Sequence, residues 1–397
     1  MKRFSRILSL TLVLPIVFSL CMAVSSAESF TPLFSADDLF SKRDLEQTAD
    51  LTDAVTCTVS DGKDILITAA GVYALTGSAS GVTVLVEASD DDKVQIVLNG
   101  VRITNTDFPV IYVKSADKVF VTVAGDSELS VTGTFRSDGS TKTDGVIFSR
   151  SDLVLNGTAS LTVTSTDNGV VCKDDIKITG GSYTVTAKSK AIEANDSIRI
   201  ADGTLTLTAG TDALHAENSD DDTLGYVYVG GGTLRLTAGD DGIHAVSAVQ
   251  IDAGMITIKA EEGIEASRVQ INGGVIDIQS GDDGINAARK SGAYTPSVEI
   301  NGGEITIAMG AGDTDGIDSN GNITVNGGTI RITGNSSFDY DGTAQYNGGT
   351  IIVNGQQLSS IPNQMMGGGH GGASNGGPGG WGPGGGWNGG GRGGRGR

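Results

Sequence analysis

The chain has 397 residues, of which 60 are glycine and 5% aromatic, and a formal charge of −20. So acidic a surface excludes nucleic acid and anionic membranes as partners and suits cations, including metal ions that bridge to an acidic polymer. With three cysteines, a disulfide framework is excluded as well.

Residues 1–27 read as a secretory signal: Lys2, Arg3 and Arg6, an apolar run from Ile7 to Ala23, then small residues at Ser25, Ser26 and Ala27. The run is short for a membrane span and no second one follows, so the mature chain is expected without a span, secreted or wall-associated. Removal takes three positive charges and no negative ones, moving the formal charge to −23. Residues 28–56 lack any repeat, with a short helix expected near Asp37 to Gln47. Their expected role is to cap the first coil, because a solenoid end exposes unpaired strand edges.

From Ile65 to Val353 apolar residues alternate in short strands. Two phrases return within this pattern. One is Gly239-Asp240-Asp241-Gly242-Ile243-His244-Ala245, repeated from Glu261 and Asp282, with looser copies at Asp212 and Asp315. The other, Asn-Gly-Gly-x-Ile-x-Ile, starts at Asn272, Asn301 and Asn326. In the coil from Arg268 to Ala287, Val269 and Ile271 point in, Asn272-Gly273-Gly274 turns a corner, Ile276 and Ile278 point in, and Ile285 and Ala287 follow a second corner. Three strands and a period of ~22 residues predict an all-β, right-handed parallel β-helix of about thirteen coils over residues 57–360. A β-sandwich is the alternative, but it leaves the constant spacing unexplained. Cys172 falls at the inward site held elsewhere by Ala194, Ala216 and Ala245 and reads as a buried filler.

Equivalent positions should stack ~4.8 Å apart. One column then reads Asn168, Lys190, Asp212, Asp241, Glu262, Asp283, Asp315. Its neighbour carries Asp240, Glu261 and Asp282. The outward column of the following strand carries Glu193, His215, His244, Glu265, Asn286 and Asp318. Stacked carboxylates repel, by about 3 kcal/mol per pair at 5 Å and an effective dielectric near 20. Hard oxygen ligands in this number suit Ca²⁺. The alternative is a solvated acidic stripe. His215 and His244 stand in adjacent coils as a hydrogen-bonded pair or, with Asp212 and Asp241, a transition-metal site. The first-strand outward column, with Lys177, Arg199 and Tyr228 beside Tyr226, reads either as a sugar-stacking, uronate-pairing platform or as ordinary strand surface. Insertions at 133–143, 217–225 and 289–297, the last with Tyr294, mark candidate functional corners.

The last segment, 361–397, becomes glycine-rich: 19 of the 31 residues from Gly367 are glycine. With Trp381, Trp387, Arg392, Arg395 and Arg397 it reads as a flexible tail or one that contacts wall polymer.

Gly71-Val72-Tyr73-Ala74-Leu75-Thr76-Gly77, the run from Val94 to Gly100, and Val110 through Val119 resemble the bacterial carbohydrate-binding domain-containing family. The repeated phrases and the tail are similar to it as well. The resemblance spans roughly residues 36–355. It implies an exported right-handed β-helix like that of polysaccharide lyases, calcium on the helix, and non-catalytic binding of plant cell-wall polysaccharide, including acidic pectic polymer. Carried onto this chain, calcium falls on the acidic columns. Two other classes compete. A calcium-dependent lyase needs a base to take the proton beside the uronate carboxylate, and Lys190 is the nominee, with a salt bridge as its other role. A structural adhesion protein needs no catalytic set.

Overall fold

The computed structural model describes residues 30–311 and 314–364. The expected signal segment and nearly all of the glycine-rich tail lie outside them. The protein is all-β apart from one turn of helix at Ala36–Leu39. Strand after strand pairs in parallel with its counterpart in the next coil, giving a solenoid with three faces. Ser197–Ile200, Thr204–Ala209 and Leu214–Ala216 are successive strands on the first, second and third faces. Twelve strands stack on the third face.

Inward alternation makes the core. Ile176, Ile198, Val227, Val249 and Val269 form one register column, and all are fully buried. Ile192, Leu214, Ile243, Ile264 and Ile285 form another on the third face. Cys172 aligns with Ala194, is fully buried, and has its thiol pKa raised by that burial. The two repeated phrases have separate structural causes. Asn272, Asn301, Asn326 and Asn347 pass an amide hydrogen bond along the coils at 2.7–2.8 Å. The second glycine of each turn takes a positive φ, 94° at Gly274. In the acidic phrase the glycine sits against the next coil: a Cβ at Gly263 would lie 2.2 Å from the Gly284 carbonyl oxygen.

Residues 30–47 depart from the expected cap. Instead of closing the first coil they run lengthwise over the first face. Gln270 Nε2 donates to the Thr31 carbonyl, and its Oε1 accepts from the Leu33 N–H. Gln250 holds Phe34 the same way at 3.0 and 2.7 Å. At the other end Asn156 Nδ2 donates to the Glu46 carbonyl, and Gln47 Oε1 accepts from the Gly157 N–H. Between them, fully buried Asp44 pairs with Lys177 at 3.1 Å and Lys118 at 3.4 Å. The expected helix to Gln47 is thus four residues long, because the side chains and main chain beyond it are committed to the sheet beneath. Only Val55–Thr58 stacks on the first coil's edge, pairing in parallel with Tyr73–Thr76.

Candidate functional site

The acidic phrases lie at the corner entering the third face, where each coil delivers one side chain to the same line. In register the outward column reads Val171, Glu193, His215, His244, Glu265, Asn286, Asp318, Asp339. Beside it run Asp212, Asp241, Glu262, Asp283 and Asp315, linked by Asp241 N–H to Asp212 at 3.3 Å and Asp315 N–H to Asp283 at 2.8 Å. Asp240 and Glu261 are exposed and Asp282 is half-buried. A groove of about 590 Å³ follows this line from Asp212 to Glu265.

Its charges are balanced unevenly. The His215 and His244 rings stack with centroids 4.6 Å apart. His215 Nδ1 meets Asp212 at 2.8 Å and its Nε2 meets Glu217 at 3.1 Å. His244 Nδ1 lies 2.5 Å from Asp241 and 3.2 Å from Glu265. Burial disfavours the His244 imidazolium, but these carboxylates outweigh it and push its pKa up to about 9. Lys290, from the 289–297 insertion, reaches Glu265 at 2.7 Å. Asp212, despite burial, is held below the usual carboxylate range by His215. Asp241 is raised, chiefly by burial.

Further along, the protein supplies less positive charge. Burial, then Glu265 and Asp241, raise Glu262 to about 8. Burial, with Asp282 and Asp318, raises Asp283 to about 7. Asp318 rises to about 6 through burial and Asp339. Asn286 donates its amide to Glu262 at 3.3 Å, while its own Oδ1 is buried without a hydrogen-bond partner among the described residues. Asp315 accepts from the Ser336 hydroxyl. A donor set of carboxylate and amide oxygens fits a hard divalent cation. Around Asp241 and Glu265 the protein already supplies the His244 imidazolium and the Lys290 ammonium. Asp241, His244 and Glu265 do converge closely enough to hold a metal, but a metal on Nδ1 must first displace the proton those carboxylates stabilise.

Lys190, the nominated lyase base, lies 3.7 Å from Glu193, which Lys173 also approaches at 3.2 Å. The expected sugar platform is covered. Phe34 stacks on Tyr226 at 4.3 Å between centroids, and Phe40 packs on Tyr228 at 6.1 Å. Lys177 is buried on Asp44, Arg199 is bonded to Asp175 at 2.6 Å, and Tyr294 packs against the same apolar cluster. Tyr226, Tyr228 and Lys177 hold the N-terminal segment, and Arg199 is committed to Asp175 beside them, since an outward position need not face solvent.

A family model described as carbohydrate-binding domain-containing protein matches residues 61–313 and 262–360. The chain belongs to this family. A carbohydrate-binding domain-containing protein of Acetivibrio thermocellus is 35% identical over 125 residues, 30% of this chain. The match spans only 44% of that curated relative's length. The solved structure of a polysaccharide lyase-like protein from C. thermocellum, a gadolinium derivative, is similar at TM-score 0.51 and 30% identity. That likeness covers 56% of this chain and 96% of the other.

In this carbohydrate-binding domain protein, sequence reasoning missed Lys290 and Glu217 as groove residues. Both come from insertions, which carry no register with the repeat. The one available signal was that both insertions leave the same corner.

Proposed function

We propose that this protein is exported and binds cell-wall polysaccharide without cleaving it, with calcium on the acidic columns assisting capture of an acidic, pectic-type polymer. Membership of the carbohydrate-binding domain family and likeness to a polysaccharide lyase-like structure support the polysaccharide. The observation that carries the calcium is the pair Glu262 and Asp283 beside the unpartnered Asn286 oxygen. As bare anions these groups bear both desolvation and mutual repulsion, and a bound cation offsets both. Glu262, Asp283 and Asn286, from two successive coils, would hold it, with Asp315 and Asp318 on the next coil beside them. Ca²⁺ takes six to eight oxygens, so carboxylates of the polymer can complete the shell and bridge two acidic surfaces. Engagement of Lys190 by Glu193 favours binding over lyase chemistry.

A glycan array run with calcium and with chelator tests this. Acidic polysaccharide should be retained with calcium and released by chelator, and Glu262→Gln with Asp283→Asn should abolish the difference. Equal retention in both buffers, or an unaltered difference in the double variant, would refute the calcium reading.

A further inference from the structure

The outward column of the third face changes character along the solenoid. Before Glu193 it is apolar: Leu66, Leu85, Tyr112, Phe148 and Val171 stand in register. Tyr112 is five pairings from His244 in the same column, ~24 Å at ~4.8 Å each. The 133–143 insertion is anchored over this apolar end. Its Asp138 accepts from the Tyr112 hydroxyl, from the Ser140 and Thr141 N–H groups, and from Arg150. That leaves a cleft of about 580 Å³ between the insertion and the coils, with half-buried Leu85 and Phe108 in its wall.

Polar groups stand around this wall with capacity to spare. Arg136 lies over the Phe108 ring, its guanidinium carbon 4.2 Å from the centroid, and its Nε donates to Asp107 at 3.4 Å. Its terminal nitrogens have no hydrogen-bond partner among the described residues. Asp107 accepts that bond on Oδ1 and Asp64 accepts the Thr83 N–H on Oδ1 at 2.8 Å, so each keeps a second oxygen. Phe108 meets Tyr112 edge-on at 5.5 Å, which sets the ring's plane.

We propose that this cleft is a calcium-independent subsite for an uncharged sugar residue. The inference rests on the polysaccharide-binding reading but not on calcium. Leu85, with the part of the Phe108 ring that Arg136 leaves uncovered, offers apolar surface to the C–H face of a pyranose. The free carboxylate oxygens accept from sugar hydroxyls, and the guanidinium donates to them. Counting the direct partners of the lining residues, the four carboxylates Asp64, Glu87, Asp107 and Asp138 outnumber the three cations Lys114, Arg136 and Arg150. A uronate would therefore enter against net negative charge, whereas a neutral ring incurs no such repulsion. The acidic column around Glu262 and Asp283 and this cleft thus suit two sugar chemistries on one face.

The test is calorimetric titration of the full chain with cellohexaose, xylohexaose and mannohexaose in excess chelator. At least one should bind, and Arg136→Gln should weaken it by about tenfold or more, the loss of one charged hydrogen bond, with an unchanged melting curve. Leu85→Arg, which fills the cleft from its floor, should abolish the heat. No binding by any of the three, or wild-type affinity in both variants, would overturn the proposal. Oligogalacturonate with calcium is titrated in parallel: binding that survives both cleft variants while the neutral sugars fail would refute the cleft alone. Its loss in Glu262→Gln/Asp283→Asn, with neutral binding intact, would leave the cleft standing.

Discussion

Asp44 is the point at which the N-terminal segment can be pried from the first face. Its carboxylate is fully buried, and the two lysines it joins have side chains only 9% and 13% exposed. Asp44→Asn keeps the shape and an acceptor for the Ser41 N–H, which now donates to Oδ2 at 2.9 Å. It leaves Lys177 and Lys118 near each other without the shared anion. Removing one partner of a buried pair costs about 3–5 kcal/mol, because the remaining charge stays desolvated. At roughly 2 °C per kcal/mol for a domain this long, that is a fall of about 6–10 °C if the segment unfolds together with the solenoid. If it frays first, the melting point moves less and hydrogen exchange at Leu33 and Phe34 accelerates instead, since their N–H groups bond to Gln270 and Gln250. Acid should act at the same place. Burial alone would raise Asp44, but the Ser41 N–H and the two lysines bring it below the usual carboxylate value. A lowered folded pKa contributes stability above the unfolded value of about 3.9 and loses it as pH falls further, so undocking should begin below about pH 4. In Asp44→Asn that acid-dependent step should vanish. Wild-type melting and wild-type exchange in this variant would refute the reasoning that the buried charge holds the segment.

Calcium should raise the melting temperature and chelator lower it, the bound ion stabilising the fold by ~2.7 kcal/mol at a hundredfold excess over Kd; Glu262→Gln/Asp283→Asn should shrink the shift while stabilising the metal-free protein, and superimposable melts with and without calcium would exclude the site. Gly263→Ala should cost about 3 kcal/mol or more in urea unfolding, because the new Cβ meets the Gly284 carbonyl at 2.2 Å and Ile278 Cγ2 at 2.6 Å within a packed stack; a change below about 0.5 kcal/mol would show that the coils can move apart. Polygalacturonate with calcium should yield no unsaturated product by ultraviolet absorbance, and product formation abolished by Lys190→Ala would instead make the protein a lyase.

The repeat alone determined which side chains face the interior and which share a column. Parallel pairing has one register once the apolar set must point inward, so Ile192, Leu214, Ile243 and Ile264 could be aligned by counting. The same counting put His215 beside His244 and Asp241 beside Glu262. Periodicity says only whether a residue points out of the coil; it does not say what lies outside. Tyr226, Tyr228 and Lys177 point out of the first face, yet they are buried, because a segment nearly two hundred residues earlier in the chain lies over the two tyrosines. That docking is decided by Gln250, Gln270 and Asp44 meeting main-chain and lysine partners across the sequence, and no local pattern encodes it. The counter-charges follow the same rule. Lys290 neutralises Glu265 from an insertion with no register, so which carboxylates remain uncompensated, and hence where a cation gains most, is settled only by the folded chain.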